Sequence, residues 1–126
     1  MTISTQALPT PVPLQQDAVI IALVGLAHAS SHFGHLLLPP LFPVFMSEFG
    51  LNYSELGLLV STFFVVSGIG QASAGFVVDK VGARPMLFAA IGLFVLACLI
   101  AAMAKGYTTL LAVAAVAGMA NATFHP

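Results

Sequence analysis

The 126 residues are 60% apolar and 6% charged, with a net charge of −1. Soluble domains carry roughly 25% charged residues, so seven charges (Asp17, Glu48, Glu55, Asp79, Lys80, Arg84 and Lys105) are too few to solvate a globule of this size. The composition excludes an ordinary cytosolic enzyme and a nucleic-acid binder, which needs a basic face. What it fits is an all-α, multi-pass membrane protein whose first partner is the lipid bilayer.

Residues 1–17 open with MTISTQALPTPVPLQQ, which contains neither Lys nor Arg and so lacks the positive region of a secretory signal. Pro9, Pro11 and Pro13 favour an extended, hydrated lead-in, and the reading here is a disordered tail. Four apolar stretches follow, at about residues 18–45, 54–78, 86–104 and 108–126. Each approaches the ~20 residues that cross ~30 Å of hydrocarbon as a helix. None alternates as a barrel strand would, and in lipid only helices and closed barrels satisfy the backbone. The reading is four transmembrane helices.

The first stretch is longer than a straight span requires and holds Pro39, Pro40 and Pro43, which predict a broken or bent outer end. It also carries His28, His32 and His35, at i, i+4 and i+7, on an arc of about 60° at 100° per residue. Imidazoles facing lipid are costly, so this face points to a cavity or to other helices. Three uses compete: hydrogen bonds that join the bundle, a substrate path in which imidazole relays protons, and a metal site. The metal reading is the weakest, because no carboxylate or thiolate lies nearby in sequence to complete a coordination shell. The lone Cys98 excludes an intramolecular disulfide, and no cofactor is implied.

In the second stretch Gly57, Ser61, Gly68, Gln71 and Gly75 recur at helical spacing. Small residues let helices approach, and Gln71 can hydrogen-bond across an interface, so this stripe is expected to pack against another helix. The stretch ends in Gly75-Phe-Val-Val-Asp79-Lys80-Val-Gly82-Ala83-Arg84-Pro85. Here Gly82 permits a tight reversal and Pro85 suits the first turn of the next helix. Asp79 near a helix C-terminus faces an unfavourable dipole and needs a partner. Lys80 and Arg84 lie in this connection, against Lys105 in the next. The positive-inside rule thus makes the former cytoplasmic, with the N-terminus on the same side. The third stretch, MLFAAIGLFVLACLIAAMA, has no polar group beyond Cys98 and can face lipid. The fourth carries Asn121 and His125, one turn apart.

The connection resembles the G-x-x-x-D-[RK]-x-G-[RK]-[RK] motif of the major facilitator superfamily. Gly75, Asp79, Lys80, Gly82 and Arg84 match it, and Ala83 departs from it. The runs His32-Phe33, Leu38-Pro39-Pro40-Leu41-Phe42-Pro43, Glu55-Leu56-Gly57-Leu58 and Ser67-Gly68-Ile69-Gly70-Gln71 are similar to bacterial fosmidomycin-resistance-type exporters. So is the ending from Gly118 through Asn121 and Phe124 to Pro126.

The resemblance implies a twelve-helix fold of which these four helices are the first part. It therefore implies an N-terminal fragment whose partners include the remaining helices. It implies no enzyme, but proton-coupled efflux of small organic molecules from the bacterial inner (plasma) membrane by alternating access. His28, His32, His35, Asn121 and His125 would line the substrate or proton path, because helices one and four border it in this family. Gly75, Asp79, Lys80, Gly82 and Arg84 would form a cytoplasmic gating loop. One alternative is a four-helix small multidrug-type transporter acting as an oligomer, but it relies on a glutamate within helix one, and none is present here. The others are a membrane-embedded enzyme or metal-binding protein that uses the histidines, and a non-transporting truncated fragment.

Overall fold

Helix boundaries in the computed structural model, which describes residues 13–124, are set by a few local signals. Within the first helix the side chains at 27, 31, 34 and 35 fall outside the description. Helix α1 spans Leu14–Phe49 and ends where Gly50 adopts a left-handed φ of 64°, a conformation that costs glycine nothing. Helix α2 spans Tyr53–Val81 and starts with a reciprocal cap. The Asn52 N–H donates to the Glu55 carboxylate at 2.8 Å, and the Glu55 N–H donates to Asn52 Oδ1 at 3.0 Å. Gly82, at φ 86°, is the whole link to α3, Ala83–Ala102, and its N–H closes the end of α2 on the Val78 carbonyl at 2.8 Å. Helix α4, Tyr107–Ala122, follows Gly106.

Two features differ from the sequence expectation. Helix α1 is not broken at its prolines: Pro39, Pro40 and Pro43 all lie inside one continuous helix. Each removes an N–H, so the carbonyls one turn earlier lose their helical donors, while the apolar neighbours Leu38, Phe42, Phe45 and Met46 keep this half against the core. The connection carrying the charged motif is also shorter than a loop. Asp79 and Lys80 belong to the last turn of α2, and Arg84 and Pro85 to the first turn of α3.

The principal packing is α4 against α2 and α3, with less between α2 and α3. Leu51, Leu56, Leu59 and Phe63 pack with Leu110 and Ala114, joined by the C-terminal half of α1. Helix α3 buries Met86, Ala90 and Ala97. Elsewhere large apolar side chains stand exposed, including Leu23, Leu26 and Phe33 of α1, Ile69 and Phe76 of α2, and Phe88 and Leu99 of α3. Apolar surface on this scale fits hydrocarbon or further helices, not water. Helices α2 and α3 have the length and apolarity of a membrane span. Of the other two, α4 is described over 16 residues, and α1 is apolar over its described stretches Leu14–Ser30 and Leu36–Phe49.

Candidate functional site: a polar cleft between three helices

The close approach of α2 and α4 creates the site. Gly118 sits so near α2 that a Cβ there would lie 2.6 Å from the Phe63 carbonyl oxygen and 3.2 Å from Val66 Cβ. A Cβ on Gly70 would meet Ala122 Cβ at 2.5 Å. Only hydrogen fits at these positions, and the two backbones come together as small residues allow in membranes.

One turn above this contact Asn121 reaches across the seam. Its Nδ2 donates to Ser67 Oγ at 2.6 Å, and Gln71 Nε2 donates to the same oxygen at 3.1 Å. Ser67 and Asn121 are both 2% exposed. No buried side-chain nitrogen or oxygen among the described residues lacks a hydrogen-bond partner, as a polar group in an apolar bundle requires.

Helix α1 closes the third side. His28 and His32 lie one turn apart with their Nε2 atoms 3.0 Å apart and their rings edge to face at a 4.6 Å centroid distance. Together with Phe64, Ser67, Gly68, Gln71 and Asn121 they line an open cleft of about 490 Å³. Among the described residues its polar equipment is two imidazoles, a hydroxyl and two carboxamides, with no Asp, Glu, Lys or Arg. Such a lining can hydrogen-bond a polar solute, and its imidazoles can take up protons. A second cavity, about 450 Å³, is apolar and lies between α1 and α3, lined by Phe33, Phe94, Val95 and Cys98 among others. Among the described residues no group of three His, Cys, Asp or Glu side chains could hold a metal ion.

Of the residues the sequence singled out for the pathway, the structure brings His28, His32 and Asn121 to one cleft. His35 is on α1 but its side chain falls outside the description, and His125 lies outside the described residues. Asp79, Lys80 and Arg84 stand exposed at the α2–α3 turn, and Gly75 is half-buried.

The small-residue stripe does not make the close contact within this chain. Nothing approaches a Cβ built at Gly57, Gly68 or Gly75 within 4 Å, and Ser61 is exposed. The packed face, Leu56, Leu59, Phe63, Ser67, Gly70 and Ala74, lies roughly 120° round the helix at 100° per residue. Gln71 sits at the border of the two faces and reaches the cleft.

Ser67, the acceptor at the centre of the network, was visible in the sequence only as part of the Ser67-Gly68-Ile69-Gly70-Gln71 run. Its position one turn before Gln71 was the available signal.

Comparison with known proteins identifies the family. The profile of the Major Facilitator Superfamily matches residues 24–126. The chain is 29% identical over 110 residues to an uncharacterized MFS-type transporter, YfnC, of Bacillus subtilis, and 30% identical over 110 residues to the fosmidomycin resistance protein of Escherichia coli. Each alignment covers 85% of this chain and 26% of the relative, so the chain spans about a quarter of the length of the curated relatives it matches. No solved structure matches it.

Proposed function

Since the chain belongs to the major facilitator superfamily, we propose that it is the N-terminal part of a secondary transporter that exports small organic molecules, coupled to protons, by alternating access. The family and its relatives make it an integral membrane protein of the transport class, and their bacterial origin points to the inner membrane. In this reading all four helices span the bilayer, the α2–α3 turn and the N-terminus are cytoplasmic, and the matched quarter of each relative is the part present here.

The observation that carries the reading is the cleft of His28, His32, Ser67, Gln71 and Asn121. A polar pocket at membrane depth is costly unless solute or water uses it, and transporters of this kind bind at the midplane between bundles that rock around the site. With no carboxylate in the cleft, histidine is the proton carrier available in this part of the transporter. Asp79, Lys80 and Arg84 hold one gate state by ion pairing at the cytoplasmic side. The open stripe of Gly57, Ser61 and Gly68 meets the remaining helices.

Proteoliposomes test this with fosmidomycin, the compound in the E. coli relative's name, as first solute. The 126-residue chain alone is expected to move none under a pH gradient. The polypeptide continued through the reading frame beyond the Pro126 codon is expected to transport, with collapse on His32→Ala. Uptake by the chain alone, or an immediate stop codon after Pro126, overturns the fragment reading. A continued polypeptide whose transport ignores the pH gradient overturns the proton coupling.

A further inference from the structure

Helices α1 and α3 face each other across a gap. Two cavities of about 450 and 260 Å³ occupy it and share Ser30, Ile91 and Phe124 as walls, so they form one groove. Its α3 wall is the stripe Leu87, Ile91, Phe94 and Cys98, and Leu26, Phe33 and Leu37 stand opposite on α1. Ser30 brings the one hydroxyl among the described lining residues, and that hydroxyl turns inward to donate to the Leu26 carbonyl at 2.8 Å. Such a lining offers a polar solute nothing and suits hydrocarbon.

The width of the groove selects the kind of hydrocarbon. A volume of 450 Å³ spread along α3 from Ile91 to Leu99, about 12 Å at 1.5 Å per residue, leaves a cross-section of about 40 Å². A helix 10 Å across needs about 80 Å². A further helix therefore enters only if α1 and α3 part, whereas acyl chains are thin enough to lie between them. From Leu87 to Leu99 the groove runs about 18 Å along α3, close to the ~15 Å that one leaflet contributes to a ~30 Å hydrocarbon core.

Charge marks one end. Arg84, one turn before Leu87 and on the same face of α3, stands exposed. Asp79 and Lys80 close α2 beside it, so the turn carries two cations and one anion. A guanidinium pairs with phosphate through two parallel hydrogen bonds.

We propose that the groove between α1 and α3 is a lipid site, which seats the acyl chains of one anionic phospholipid with its phosphate at Arg84. This rests on the membrane placement given above and not on transport.

The sequence contains no tryptophan, so single tryptophans in the 126-residue chain report the lipid beside them. Phe94→Trp and Phe33→Trp probe the two walls of the groove, and Phe88→Trp probes the exposed face of α3. The chain is reconstituted in vesicles of equal parts phosphatidylglycerol and phosphatidylcholine, with bromine, a fluorescence quencher, on the acyl chains of one lipid or the other. Both groove tryptophans should favour brominated phosphatidylglycerol about fivefold, the effect of one basic side chain at a membrane surface. Arg84→Gln should abolish that preference, and Phe88→Trp should be quenched by both lipids alike.

Equal quenching of the groove tryptophans by the two lipids, or a preference that survives Arg84→Gln, overturns the proposal. So do groove tryptophans shielded from both lipids while Phe88→Trp is quenched, because protein then fills the gap. A Phe88→Trp untouched by either lipid removes the membrane placement itself, and the lipid site with it. The assay reads no transport, so failure of export or of proton coupling leaves the site unaffected.

Discussion

Helices α2 and α4 meet through glycine, buried serine and buried asparagine, whereas the N-terminal half of α1 keeps its large described side chains exposed. The first seam has one geometry: Gly118 leaves no room to slide and the Asn121–Ser67–Gln71 network fixes the register. The N-terminal half of α1 carries His28 and His32, and the other walls of their cleft come from the seam. Two closely packed helices beside a third whose described side chains are mostly exposed are the arrangement expected where a site must open and close, because moving elements come from the less buried parts of a structure.

Substitutions can break this contrast, and the seam should respond most. Gly118→Val pushes methyl groups into the Phe63 carbonyl and Val66, and should cost the upper end of the roughly 1–3 kcal/mol of an overpacked core. The check is a large drop in thermal unfolding temperature in detergent. Ser67→Ala removes the acceptor of two carboxamides and should cost about 1–2 kcal/mol, within the range for membrane-buried hydrogen bonds. Asn52→Ala loses the α2 cap and should cost about 1 kcal/mol in the same assay.

On α1, His32→Gln should change stability by less than about 0.5 kcal/mol, as for other exposed positions, while removing the ring contact with His28. Equal losses from His32→Gln and Ser67→Ala would erase the contrast. Gly57→Ala sharpens it from the other side: open space and helical backbone predict a gain of up to about 1 kcal/mol in this chain. A loss there would place the stripe in a tight interface after all.

Much of this was legible in the residues. Gly82 and Pro85 announced the α2–α3 turn, and the 3.6-residue repeat put His28 and His32 on one face of α1. The capping pair was equally readable, since Asn52 followed three residues later by Glu55 is a capping-box pattern. What the sequence could not supply was register between helices. Gly57, Ser61, Gly68 and Gly75 and the packed face with Gly70 are both helical stripes of α2, and only the position of α4 chooses between them. For the same reason Ser67 was invisible as a hub: its partner Asn121 is 54 residues away. The prolines misled as to a break because their cost is local, while the apolar packing beside them is not, and α1 is continuous through them.

The face shared by α1, α2 and α4 is expected to be wet, and the exposed face of α3 to lie in lipid. Single cysteines in a Cys98→Ser background, labelled in intact membranes with a small water-soluble thiol reagent, test it directly. Gly68→Cys, in the cleft, should label rapidly, and Phe88→Cys, exposed on α3, should remain unlabelled. Rapid labelling of Phe88→Cys with Gly68→Cys protected would contradict the account.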